Sequence, residues 1–211
     1  VIDDAPSNYG TNAPYGWHRV GWRAYWDSNG GTWPAVGEID TTPGEELVIG
    51  FDSFPDSGGW FELRNDALAG TPFGHTGWKR VTWNEYNSTN GATRPAIGDV
   101  SCGGAEEIII GLGSGGLSNL QIFNDATAGY SPRAWTQVKW TSYASANGET
   151  WPAAGDVDGD ACDEIVVGLG NGGGGWWQVL DPIQNTWKRV TWSAYNNAKG
   201  ETRPSVGDVM P

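Results

Sequence analysis

The residues with the clearest chemical potential are the acids of one short segment, Asp156-Val-Asp158-Gly-Asp160-Ala-Cys162-Asp163-Glu164. Carboxylates fall at positions 1, 3, 5 and 9 of this run, and the carbonyl of Cys162, at position 7, is free to turn inward. Alternating positions let a tight turn aim several oxygens at one point, which suits Ca²⁺ and its six to eight oxygen ligands. The spacing is not that of an EF-hand, whose glycine and closing acid stand elsewhere. Without a cation, such closely spaced carboxylates repel one another. Two further segments carry the pattern in weaker form. Glu38, Asp40, Thr42, the Gly44 carbonyl and Glu46 form a set with one fewer carboxylate. Asp99 and Glu107 bracket a third loop that lacks a side chain at position 5. Asp208 opens a fourth, truncated loop.

These loops recur because the chain is built from repeats, which are sought before other patterns. A block of 21 residues aligns four times without a gap, from Trp17, Trp78, Trp135 and Trp187. It reads W-x-x-V-x-W-x-x-Y, then x-x-x-[NK]-G-x-T-[WR]-P-x-x-G. A second tryptophan column holds Trp22, Trp83, Trp140 and Trp192, and a tyrosine column holds Tyr25, Tyr86, Tyr143 and Tyr195. After each acidic loop comes a β-branched run: Glu46-Leu-Val-Ile-Gly50, Glu107-Ile-Ile-Ile-Gly111 and Glu164-Ile-Val-Val-Gly168. Short Val/Ile runs bounded by Gly read as buried strands. A Gly-rich turn and another apolar segment follow. The W-x-x-V-x-W stretch supplies a further strand, and the Pro-x-x-Gly segment one more, with Pro at its first residue, where it is tolerated. This reading gives four short strands per unit and no helix. The expected fold is all-β, a propeller or propeller segment of four-stranded antiparallel blades.

The whole chain, 1–211, reads as a single repeat domain. It divides into the end of a split blade (1–33), blades at 34–94, 95–151 and 152–203, and the first strand of an incomplete blade (204–211). The opening Val1-Ile-Asp-Asp4 matches Ile122-Phe-Asn-Asp125 inside a repeat, and the fourth unit lacks its Val/Ile-rich second strand. Two readings fit: a segment of a larger ring, or a subunit whose open edges pair with another chain, since an exposed strand edge is a template for addition.

The string Gly155-Asp-Val-Asp-Gly-Asp160, followed by Asp163-Glu-Ile-Val-Val-Gly-Leu-Gly170, resembles the FG-GAP (VCBS-type) repeat of integrin α-subunits and bacterial surface proteins. The resemblance covers the three complete units and is most specific in the third. It implies a β-propeller with Ca²⁺ in the loop between the first two strands of a blade. It also implies Asp156, Asp158, Asp160, the Cys162 carbonyl and Glu164 as ligands. The first two units depart from the acidic pattern. Rings of that family usually have seven blades. Membership implies scaffolds and binders more than any one reaction.

Composition excludes several alternatives. The 211 residues hold 25 acidic against 12 basic side chains, a net charge of −13, which is unsuited to nucleic acid. No apolar stretch approaches the length of a membrane span. The strings Gly111-Leu-Gly-Ser-Gly-Gly116 and Gly168-Leu-Gly-Asn-Gly-Gly173 match a dinucleotide fingerprint but lead into another strand, so they read as turns. His18, beside Trp17, and His75, in a variable loop, accompany no nucleophile motif, so no catalytic residue is assigned. Cys102 and Cys162 lie in successive acidic loops, where a disulfide or two free thiols are both compatible with the sequence. Asn87-Ser-Thr89 is a glycosylation sequon, compatible with a surface loop. The repeat-column tryptophans are assigned to packing between blades. Trp26, Trp60, Trp176 and Trp177 stand outside those columns and are the candidate ligand contacts.

The function expected from these features is an extracellular or cell-surface, Ca²⁺-stabilised scaffold for adhesion or assembly, binding a protein or glycan partner and able to self-associate. A carbohydrate-binding lectin is the alternative, and a polysaccharide-cleaving enzyme ranks last.

Overall fold

A computed structural model describes residues 18–28, 30–54, 58–66, 73–181 and 185–207. Its strands fall into three four-stranded sheets. The first holds β1 (Thr32–Gly37), β2 (Glu46–Phe51), β3 (Trp60–Arg64) and β4 (His75–Arg80). The second holds β5 (Thr93–Gly98), β6 (Glu107–Leu112), β7 (Asn119–Phe123) and β8 (Pro132–Gln137). The third holds β9 (Thr150–Gly155), β10 (Glu164–Leu169), β11 (Trp176–Leu180) and β12 (Thr186–Arg189). In each sheet the strands lie antiparallel in chain order. The first strand of each sheet lies beside the first strand of the next, β1 by β5 and β5 by β9.

The Val/Ile runs are continuous rather than alternating because both faces of these strands are covered. In β6, Ile108 and Ile110 pack with Val48, Phe61 and Leu63 of the first sheet. Ile109, pointing the other way, packs with Ile165 and Val167 of the third. The period of two along a strand thus divides one apolar run between two interfaces.

The glycine ending each run has a specific cause. A Cβ on Gly111 would lie 2.4 Å from Pro152 Cδ and 2.5 Å from the Thr150 carbonyl oxygen. Gly50 meets Pro95 and the Thr93 carbonyl in the same way, and Gly168 meets Pro204 and the Thr202 carbonyl. The threonine two residues before each proline completes the clip. Thr93 Oγ1 accepts the Phe51 N–H at 2.8 Å and donates to the Trp60 carbonyl at 2.8 Å. Thr150 bridges Leu112 and Asn119 at 2.9 and 3.1 Å, and Thr202 bridges Leu169 and Trp176 at 2.9 and 2.8 Å.

Five expectations need correction. First, every block contains a short helix: α1 (Arg23–Ser28), α2 (Asn84–Thr89), α3 (Thr141–Ala146) and α4 (Ser193–Ala198). Six residues are too few for a periodic signal, and these turns are held by tertiary contacts instead. Tyr86 is buried, donates its hydroxyl to the Ala92 carbonyl and accepts the Gly113 N–H, each at 2.6 Å. Gly91, at φ +65°, then turns the chain out of α2. Second, β4, β8 and β12 include Trp78, Trp135 and Trp187 but stop before the Val-x-Trp that follows, because that segment leads into the helix. Third, Pro34, Pro95 and Pro152 stand third in their strands, which begin two residues ahead of the expected unit boundaries. These are edge strands of their sheets, so the missing N–H removes no ladder bond from an outer partner. Fourth, Asn87 is buried, and its side-chain amide donates to the Val81 carbonyl at 2.6 Å, which leaves no surface loop for a glycan. His75 likewise begins β4 rather than lying in a loop, and its Nδ1 is 3.0 Å from buried Glu62 Oε1. The matched segment at 1–4 and Asp208 lie outside the described residues.

Cys102 and Cys162 form a disulfide that ties the acidic loop of the second sheet to that of the third across 60 residues. Closing a loop of that length removes denatured-state entropy worth about 4 kcal/mol. Denaturant unfolding of Cys102→Ser is expected to show a loss of that order. A Gly111→Ala substitution is expected to lower unfolding free energy by ~1–3 kcal/mol, because backbone and a proline ring stand where the methyl must go. An unchanged denaturation midpoint for Gly111→Ala would contradict the clip.

Candidate functional site

The acidic loops connect the first two strands of each sheet, and antiparallel pairing of those strands brings their ends together. Gly37 pairs with Glu46, and Gly155 with Glu164, so positions 1 and 9 of each loop meet at the strand ends. Glu38, Asp40 and Glu46 gather with carboxylate oxygens within 4.8 Å of one another, and so do Asp156, Asp158 and Glu164.

In both loops the closing glutamate is fixed from behind by backbone. Glu46 Oε2 accepts the Ile39 N–H at 3.1 Å, and Glu164 Oε2 accepts the Val157 N–H at 2.9 Å. Glu46 Oε1 and Glu38 Oε1 are buried without a hydrogen-bond partner. A buried acceptor left unpaired is costly. Burial, with Asp40, Glu38 and Asp66 close by, pushes the Glu46 carboxyl up to about 7. Burial and the charges of Asp158 and Asp160 push Glu164 up as well. Asp156 is held below its usual range by N–H donors, chiefly from Gly159 and then Ala161. The residues could therefore hold a cation: carboxylate oxygens converge in both loops, and the first loop adds two buried acceptors without a partner.

Other expected ligands take local partners. Asp160 Oδ1 accepts the Cys162 N–H at 2.9 Å, and Cys162, whose carbonyl is the expected ligand, is anchored through its sulfur in the disulfide. The Thr42 hydroxyl donates to Asp40 Oδ1 at 2.6 Å. Gly44 packs against Asp66, with φ +123°. The second loop is built differently. Glu107 Oε1 accepts the Ser101 hydroxyl at 2.7 Å and lies 3.6 Å from Arg133. Asp99 accepts the N–H groups of Gly103 and Gly104 at 2.9 and 2.6 Å. There a hydroxyl and a guanidinium occupy the oxygen that stands unpaired in the first loop. The acids at position 8 have another task. Glu106 Oε2 accepts the Glu38 N–H at 2.5 Å, and Asp163 Oδ2 accepts the Asp99 N–H at 2.8 Å, so each loop caps the one before it.

A second set of features involves the tryptophans. Trp22, Trp60 and Trp78 line an open cleft of about 400 Å³ with Gly21. Trp140, Trp176 and Trp187 line its equivalent of about 520 Å³, with Lys139 in the place of Gly21. The wall is stiffened the same way in both. Arg80 lies 5.2 Å over the Trp60 ring, and Arg189 lies 5.4 Å over Trp176. Their Nε atoms donate to the Gly58 and Gly174 carbonyls at 2.9 and 2.7 Å. The second sheet has Asn119 and Gln137 at these positions and no such pair. Trp60 and Trp176, read from the sequence as ligand contacts, are thus brought to equivalent sites. Trp26 is elsewhere: its Nε1 donates to the Val20 carbonyl at 2.6 Å and Arg19 covers its ring at 4.4 Å. Trp177 faces a different cavity, beside Val179 and Val190.

Sequence reasoning missed that the repeat-column tryptophans Trp22, Trp78, Trp140 and Trp187 both pack and line these clefts. The signal was present as a covariation between units. Trp at the start of the third strand accompanies Trp-Lys-Arg at the end of the fourth in units one and three, and both are absent from unit two. No protein-family model matches the chain, and no curated protein or solved structure matches it either.

Proposed function

We propose that the chain is a non-enzymatic, propeller-type binding module of the FG-GAP kind, whose aromatic clefts take carbohydrate and whose acidic loops take Ca²⁺. The observation that carries this reading is the duplicated cleft. Three tryptophans and a stacked arginine recur at equivalent places in two repeat units, with volumes in the range of small-ligand sites. Aromatic faces suit the C–H faces of a pyranose, while Lys139, in the cleft of the third sheet, suits its hydroxyls. Two equivalent sites on one chain suit avidity for a repeated glycan. The propeller reading is supported by the identical strand order of the three sheets and by their side-by-side first strands. An extracellular setting is supported by the disulfide.

Calcium is favoured over softer metals because the donors are all carboxylate oxygens. It would be held by Glu38, Asp40 and Glu46 in the first loop and by Asp156, Asp158 and Glu164 in the third. Its charge would offset their repulsion and fix the first hairpin of each sheet. A scaffold for adhesion or assembly is the second reading, favoured by the exposed Val36, Val157 and Trp192.

Two measurements test the proposal. On an array of immobilised mono- and oligosaccharides, the native chain binds, and Trp60→Ala with Trp176→Ala reduces binding at least ~10-fold with unchanged circular dichroism; no binding by the native chain would refute the carbohydrate reading. In thermal melts, Ca²⁺ raises the Tm over chelator, by up to ~2.7 kcal/mol of stability at a hundredfold excess over Kd. Glu46→Gln and Asp156→Ala each remove part of that rise, while Asp99→Ala leaves it in place. Equal melts in Ca²⁺ and chelator would dispose of the calcium sites.

A further inference from the structure

One position in the third strand of each sheet is buried and polar, and its three occupants are satisfied in different ways. Glu62, Gln121 and Gln178 stand opposite Trp78, Trp135 and Trp187 in their ladders. All three are buried. Gln121 is closed by Thr82 of the preceding block. Its Oε1 accepts the Thr82 N–H at 2.9 Å, and its Nε2 donates to the Thr82 hydroxyl at 2.6 Å. Gly21 stands in the place of Thr82 beside the first sheet and offers no hydroxyl. There Glu62 Oε1 takes Arg64 at 2.8 Å and His75 at 3.0 Å instead. Its Oε2 is unpaired, but Glu62 does not line the first tryptophan cleft. In the third unit the place of Thr82 is held by Lys139. A lysine lacks the hydroxyl that closes the amide, and Gln178 Oε1 is buried without a hydrogen-bond partner.

That open amide lies on a cavity. Gln178 and Lys139, with Thr136, Asp163 and Asp181, line a space of about 360 Å³ between the second and third sheets. Lys139 also lines the cleft of Trp140, Trp176 and Trp187, so the two spaces share a wall. Gln178 is two residues from Trp176 along β11, on the same face and about 7 Å away. Cleft and cavity are thus successive parts of one groove along the outer edge of the two sheets. Lys139 is exposed and forms no ion pair among the described residues. A buried acceptor with no donor is costly, and the cost is relieved when a donor enters beside it.

We infer that this cavity is a second subsite beside the third-sheet cleft, and that the two together take a neutral oligosaccharide of at least two units. The inference rests on the carbohydrate reading of the clefts and gives that reading a length and a charge. One sugar ring lies against the tryptophans, and the hydroxyls of the next unit enter the cavity. A hydroxyl both donates and accepts, so it can donate to Gln178 Oε1 and accept from the Lys139 ammonium. The charges around the cavity are mixed. A uronate would meet Asp163 and Asp181, and an amino sugar would meet Lys139, whereas an uncharged hydroxyl pairs with either sign. Asp163 is held in place from behind, since its Oδ2 accepts the Asp99 N–H at 2.8 Å. The first cleft has no such extension through these residues, because Gly21 replaces Lys139 and Arg64 and His75 occupy Glu62. The two clefts, alike in their tryptophans, therefore differ in reach: the first reads one sugar and the third reads two.

The test is calorimetric titration of the full chain carrying Trp60→Ala, so that the third-sheet cleft alone reports. The probes are glucose, mannose and xylose with their β-1,4-linked dimers and trimers, beside digalacturonate and the glucosamine dimer. The expected result is a neutral dimer that binds about tenfold tighter than its own monosaccharide. Adding Lys139→Thr, which recreates the closure of Gln121 by Thr82, brings that ratio to about one. Gln178→Leu does the same, and Gln178→Met takes its place if the leucine variant fails to fold. A ratio near one before either substitution, or a tenfold ratio that survives both, would overturn the subsite and leave the carbohydrate reading standing. Tighter binding of digalacturonate or the glucosamine dimer than of every neutral dimer would overturn the neutral ligand. If no sugar binds, with or without Trp60→Ala, the carbohydrate reading falls and the subsite falls with it.

Discussion

Everything in this molecule depends on how closely the first strand of one unit can lie on the second strand of the unit before. That approach is set by a glycine with no room for a methyl group, a proline ring against it, and a buried threonine hydroxyl. The hydroxyl satisfies one N–H and one carbonyl that the junction would otherwise bury unpaired. Threonine serves because it both donates and accepts while its methyl group packs. Proline serves because the strand it occupies is an edge strand of its own sheet. With the spacing fixed, the apolar runs need to be long and β-branched, since each must fill an interface on either side.

The acidic loops ride on the same constraint. They are hairpin loops between the two strands that the clip positions, so their end residues are held at the ladder's last pair. The three loops then diverge in how they treat one glutamate. In the first loop a buried oxygen is left without a partner. In the second, Ser101 and Arg133 occupy that oxygen. In the third, Asp156 and Asp158 stand around Glu164. The position-8 acids meanwhile spend their charge on the backbone of the neighbouring loop, which a count of carboxylates conceals.

Tryptophan carries two roles at once. A ring such as Trp140 lies tilted against Tyr143, with centroids 5.5 Å apart, on one side and forms a wall of an open cleft on another. Its large faces make both possible, and the arginine over Trp176 holds the opposite wall without a covering sheet. The cleft walls and the packing surface between units are therefore continuous, so a ligand in the cleft would touch residues that also join two units.

The repeat, the four strands per unit and the sharing of Glu46 and Glu164 with their loops were legible in the sequence, because each is a matter of spacing along the chain. Residue periodicity and glycine placement are local, and local signals survive without a structure. The six-residue helices were not legible, since the tyrosine that secures each of the first three accepts an N–H just past the end of a strand, 27 residues further on. The pairing of Cys102 with Cys162 was likewise open until two loops 60 residues apart were brought together. Nor could spacing tell which of the glutamates closing the acidic loops keeps an oxygen free, or that two sets of tryptophans would face open clefts. Sequence alone determined the number of strands per unit and where along the chain each roughly falls. Tertiary structure decided which side chains meet across units, because those contacts join residues whose separation in the chain says nothing of their distance in space.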